Sequence, residues 1–115
     1  MLKVGLLTRE YPPNVYGGAG VHVDFLSREL RPLVDLAVHC WGEDRGDGLA
    51  TGHVPSPAMT GANPALATLS IDLSMTAAVA DRELVHSHTW YANMAGYLAK
   101  LLYDIPHVVT TCGMP

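Results

Sequence analysis

The chain has 115 residues, of which 49% are hydrophobic and 16% charged. That balance fits one packed domain and excludes an intrinsically disordered segment. The net charge of -4 and the lack of any Lys/Arg cluster exclude the footprint of a nucleic-acid binder.

The chain opens with MLKVGLLTREYPP, whose apolar run is shorter than the ~7–15 residues of a secretory h-region. The richest later stretch, Pro64 to Ala80, is interrupted by Asp72 and falls short of the ~20 residues of a membrane span. A soluble, cytoplasmic protein with no membrane partner is expected. Cys40 and Cys112 lie far apart and outside any CxxC spacing, so two reduced thiols are expected in that compartment.

In chain order, Lys3–Thr8 (KVGLLT) reads as a buried strand. The glycine-rich stretch REYPPNVYGGAGVHV follows, and Gly18–Leu33 then carries Val21, Phe25, Leu26, Leu30 and Leu33 at helical spacing. Pro32 marks the end of that helix. Asp35–Cys40 (DLAVHC) is a second strand. Trp41–Gly61, rich in glycine and proline, reads as a long loop holding a short strand around His53–Val54. Asn63–Asp81 is a helix with Pro64 in its first turn. Leu84–Ser87 (LVHS) is a strand, and Tyr91–Tyr103 a helix with Met94, Leu98, Leu101 and Leu102 as its apolar stripe. Asp104 and Pro106 break that helix before the last strand, His107–Thr111 (HVVTT). The strands are short and continuously apolar, the pattern of a parallel sheet covered on both faces. The fold class is α/β, a Rossmann-like doubly wound parallel sheet with right-handed crossovers.

Open α/β sheets bind ligands beyond the carboxyl ends of their strands, which selects two stretches. The first is the glycine-rich loop. Gly17, Gly18 and Gly20 sit where a backbone can approach a ligand and where a helix N-terminus offers free N–H groups. The same stretch also reads as a flexible βα turn, since it matches neither G-x-G-x-x-G nor a P-loop. His22 lies in the first turn and is placed to face the same cleft. The second stretch is VHSHTWYAN, residues 85–93. His86 and His88 share one face of a strand, with His88 at its lip and His86 one step deeper if the strand ends at Ser87. Two imidazoles do not complete a zinc site, so no metal is expected. A hydrogen-bonded core position fits His86 better than His88. Trp90 and Tyr91 are suited either to walling a sugar pocket or to packing. His39 reads as a core or edge residue, His53 as a loop residue and His107 as the start of a strand.

Together, TREYPPNVYGGAGVHV and VHSHTWYANMAGYLAKLLYDIPHVVT resemble the N-terminal domain of retaining GT-B glycosyltransferases of family 4, closest to the glycogen synthase group of actinobacterial type. The resemblance implies two Rossmann-like domains facing a cleft, with residues 1–115 as the N-terminal, acceptor-side domain. It implies transfer of glucose from ADP- or UDP-glucose to an α-1,4-glucan or glucose 1-phosphate, with retention. The nucleotide sugar is a substrate, and no cofactor is implied. Gly17 and Gly18 would lie against the donor diphosphate and the acceptor. His88 would contact the donor sugar as the catalytic-site histidine, with His86 as the alternative bearer of that role. Relatives continue from the last strand into an Ala-His-Ser-type loop, where this chain reads TTCGMP, with the histidine replaced by Cys112 or lost. The nucleotide-binding C-terminal domain is therefore expected outside these residues, as a separate partner. The basic residues expected near the cleft are Arg9 and Lys3. The 115 residues alone are expected to lack transferase activity, because oriented binding needs the opposite wall and the leaving diphosphate needs preorganised positive charge. The alternative is a carbohydrate- or phosphate-binding module, or a subunit of a split enzyme. An uncovered face is expected to favour self-association.

Overall fold

Leu6 and Leu7 are neighbours in the chain and both are fully buried, yet they belong to different cores. On a strand, successive side chains point to opposite faces, so this pair marks a sheet covered on both sides. The computed structural model describes residues 1–13, 18–61 and 63–111. It contains β1 (Lys3–Leu7), α1 (Gly18–Leu30), β2 (Asp35–Trp41), β3 (Thr51–His53), α2 (Pro64–Ala78), β4 (Leu84–His88), α3 (Thr89–Tyr103) and β5 (His107–Thr110).

The five strands form one parallel sheet in the order β3-β2-β1-β4-β5. The chain starts at the centre, builds outward through β2 to β3, then crosses back to lay β4 on the other side of β1. The order reverses between β1 and β4, which is the switch point where open α/β sheets receive ligands. This is the expected Rossmann-like arrangement, and it matches one half of a GT-B architecture. The short strand expected around His53–Val54 within the long loop is β3, which lies slightly earlier, at Thr51–His53. No helix among the described residues is long and apolar enough to cross a membrane.

One core joins Leu7 and Val85 to Ile71, Met75 and Val79 of α2 and to Ala92, Ala95 and Ala99 of α3. The other joins Leu6, Val38 and Cys40 to Tyr11 and to Val23 of α1. Both helix stripes expected to face the sheet are largely turned away from it. Val21, Phe25 and Leu33 are exposed, as are Met94, Leu101 and Leu102. The faces on the sheet carry Gly20, Val23 and Ser27 in α1 and Ala92, Ala95, Gly96 and Ala99 in α3. Small residues let the helix backbones come close to the sheet. A Cβ on Gly96 would lie 2.2 Å from His107 Nε2.

Local chemistry sets the element ends. Asn63 caps α2 by accepting a bond from Ala65 N (2.7 Å), with Pro64 in the first turn. Asp104 closes α3 in the left-handed conformation (φ 57°). Cys40 is buried, and burial pushes its thiol pKa up, so it sits as an unreactive core thiol. Cys112 lies outside the described residues.

Candidate functional site

β4 runs through His88, which pairs with Thr110, so His88 is inside the sheet rather than at its lip. The depths of the two histidines are the reverse of the sequence reading. His88 is fully buried, while His86 is half-buried and shares a 2.7 Å hydrogen bond with Thr110 Oγ1. Both rings project to the α1 side, because β4 alternates them with Val85 and Ser87. Their centroids are 4.2 Å apart, and His22 of α1 lies 5.4 Å from His88. Three histidines named from sequence thus meet at the switch point.

Neither ring nitrogen of His88 has a hydrogen-bond partner among the described residues. Burial first, then His86 and His22, bring its pKa down to about 4. Burial also lowers that of His86. His86 and His88 are therefore neutral at physiological pH, uncharged donors and acceptors rather than cations. Among the described residues no group of three or more His, Cys, Asp or Glu side chains is placed to hold a metal ion.

The turn after His88 is strained. Thr89, β-branched, has φ 68° and a buried hydroxyl with no partner among the described residues. That conformation costs about 1–3 kcal/mol and persists where surrounding structure enforces it. It starts α3 directly at the sheet edge, with no side-chain cap from His88. On the other face of β4, Ser87 Oγ donates to Asn93 Oδ1 (2.6 Å). Its single proton being used there, His107 Nε2–H is the donor in the 2.7 Å bond to the same oxygen.

Trp90 and Tyr91 belong to a second cluster. Their rings stack at 4.0 Å, and Tyr91 meets Trp41 edge-on at 5.5 Å. Arg9, just beyond β1, places its guanidinium 4.6 Å from the Tyr91 centroid and 5.2 Å from that of Trp41. Arg9, Trp41 and His53 line a cavity of about 390 Å³ along the carboxyl edge of the sheet. Lys3 stands at the opposite, amino end of β1, away from this edge.

Gly18 is the first residue of α1, with open space where a side chain would stand. Gly20 is buried against the sheet. Gly17 lies outside the described residues. The start of the loop is anchored by two residues the sequence did not single out. Tyr11 is buried; its hydroxyl donates to Ser27 Oγ (2.8 Å) and accepts from Arg31 Nη2 (3.2 Å). Arg45 is buried, and its guanidinium partners among the described residues are carbonyl oxygens. It reaches Pro12 (2.9 Å) and Tyr11 (3.0 Å), and bonds Glu43 and Trp41 as well. Its signal was an arginine within a glycine-rich loop, which composition alone reads as solvated.

His39 and His53 form a third pair, Nδ1 to Nε2 at 3.0 Å, with His53 Nδ1 bonded to Ser74 Oγ at 2.7 Å. It ties β2 and β3 to α2 and stands apart from the switch point.

Comparison with known proteins places this geometry. The family model for glycosyltransferase family 4 matches residues 16–114. Over 109 residues, 95% of this chain, the sequence is 54% identical to an alpha-maltose-1-phosphate synthase of Mycolicibacterium smegmatis. It is equally similar to the protein of that name from Mycobacterium tuberculosis. The chain spans 28% of the length of these relatives. A doubly wound parallel sheet with three histidines gathered at the switch point, matched by that family model over most of its length, establishes that the chain belongs to glycosyltransferase family 4.

Proposed function

We propose that the chain forms the acceptor-side wall of a retaining glucosyltransferase that takes glucose from ADP- or UDP-glucose. The half that grips the nucleotide lies outside these residues in this reading. Of the two acceptors weighed, glucose 1-phosphate has the better support over an α-1,4-glucan. Its glucosylation yields a maltose 1-phosphate, the product in the relatives' name.

The observation that carries the proposal is His88. A buried imidazole with neither nitrogen bonded among the described residues costs about 1–3 kcal/mol per orphaned group. A sugar hydroxyl arriving at the switch point supplies the missing partner. At a pKa of about 4 the ring is neutral, so it hydrogen-bonds and orients the sugar but does not neutralise a leaving diphosphate. Positive charge at this edge comes from Arg9, held over Trp41 and Tyr91, and from the uncapped N-terminus of α3. His22 closes the cluster from α1, and Gly18, one turn earlier, leaves open space for a substrate.

Titration with ADP-glucose and glucose 1-phosphate, read by Trp41 and Trp90 fluorescence, tests this. A saturable change that His88→Ala weakens by about tenfold or more supports it. A folded protein that responds to neither ligand contradicts it.

A further inference from the structure

We propose that the groove between α2 and α3 is a binding site for a neutral saccharide, with Asp72 accepting its hydroxyls and Trp90 stacking on its ring.

The groove encloses about 360 Å³, within the range of small-molecule sites, and its walls include Leu69, Trp90, Tyr91 and Met94. Asp72 is the one acidic group in this apolar lining. It is 3% exposed, and its Oδ1 has no hydrogen-bond partner among the described residues. A carboxyl oxygen buried without a partner is costly, and a ligand hydroxyl would satisfy it. Trp90 is 69% exposed, with Tyr91 stacked beside it, so ring surface remains open for a ligand. An apolar ring surface beside a hydrogen-bond acceptor is what a pyranose presents its two characters to: C–H face to the aromatic, hydroxyl to the carboxyl.

Charge selects against other classes. An anion finds no basic residue in this lining. A cation would meet Arg9, whose guanidinium already occupies the Tyr91 ring at 4.6 Å. A neutral polyhydroxylated ring avoids both. The groove is built from α2 and α3, whereas His22, His86 and His88 face α1, so the two sites adjoin only at the first turn of α3 and a His88 variant tells them apart.

The test is titration of the full chain with maltose, followed by Trp90 fluorescence and by amide NMR shifts in α2 and α3. The expected result is a saturable response that Asp72→Ala and Trp90→Ala each weaken by about tenfold or more. His88→Ala should keep it while losing the response to ADP-glucose. Asp72→Asn keeps the shape of the side chain and covers the case in which Asp72→Ala fails to fold. It should weaken maltose binding severalfold. Maltose binding unchanged in both Asp72 variants would overturn the proposal. So would a groove that shifts with choline but not with maltose.

Discussion

His22 on α1 and His88 at the end of β4 bring their rings to 5.4 Å across the switch point, one exposed and the other fully buried. The His88 ring has no hydrogen-bond partner among the described residues, so the fold carries it at a cost. Replacing a buried unpaired polar group by an apolar one of similar volume removes that cost. His88→Leu is therefore expected to raise stability by about 1–2 kcal/mol in urea unfolding while abolishing nucleotide-sugar binding. A loss of stability as large as a core truncation would mean that His88 is a packing residue.

Gly96 is expected to tolerate no side chain. A Cβ would lie within 2.8 Å of three ring atoms of His107, and that ring is held by its bond to Ser87. Gly96→Ala is expected to cost about 1–3 kcal/mol, the range for overpacking. Adding His107→Ala should return part of that loss, a coupling that urea unfolding of the four variants measures.

Arg45→Ala is expected to cost about 2–4 kcal/mol, because it strips four carbonyls of a charged donor in a buried position. Arg45→Lys should recover less than half, since an ammonium cannot reproduce the fork of the guanidinium. Full recovery by lysine would show that charge alone holds the loop.

Stability is expected to fall on acidification. Burial holds His39 at about 4 and lowers His53, His86, His88 and His107 from the ordinary value of 6.5. The unfolded chain takes up these protons first, so their contribution is complete above pH 6.5 and is lost as pH falls through about 4. Asp72 has the opposite sign. Burial raises it from 3.8 to about 7, so its penalty is absent below pH 3.8 and grows to its full size above 7. Five histidines outweigh one carboxyl between pH 6.5 and 4, and the urea midpoint should drop across that window. Asp72→Asn should raise the midpoint at pH 8 and leave it unchanged at pH 3.5. A midpoint that rises from pH 6.5 to 4 would contradict the assignment of buried neutral histidines.

The strands were legible because their apolar runs are short and unbroken, and KVGLL, DLAVHCW, LVHSH and HVVT all pair in one sheet. The faces of the helices were not. Hydrophobic periodicity finds large residues such as Phe25 and Leu101, whereas close packing on a parallel sheet selects Gly20, Ser27, Ala95 and Gly96, which carry little hydropathy signal. Spacing placed His86 and His88 on one face correctly. It misjudged their depth, because one further strand residue draws His88 into the sheet. Asp72 and Arg45 could not be read at all: a buried charge in a helix or a loop has the same local sequence as a solvated one. The resemblance named candidate residues, and the structure separates them into a histidine cluster and an aromatic cluster.

The most direct test of the central claim is to follow the ring resonances of the six histidines by NMR while titrating ADP-glucose and glucose 1-phosphate. The expected result is that His88, His86 and His22 shift together and saturably, while His39 and His53 hold still. Shifts confined to His39 and His53, or none in a folded sample, would contradict the placement of the substrate at the switch point between β1 and β4.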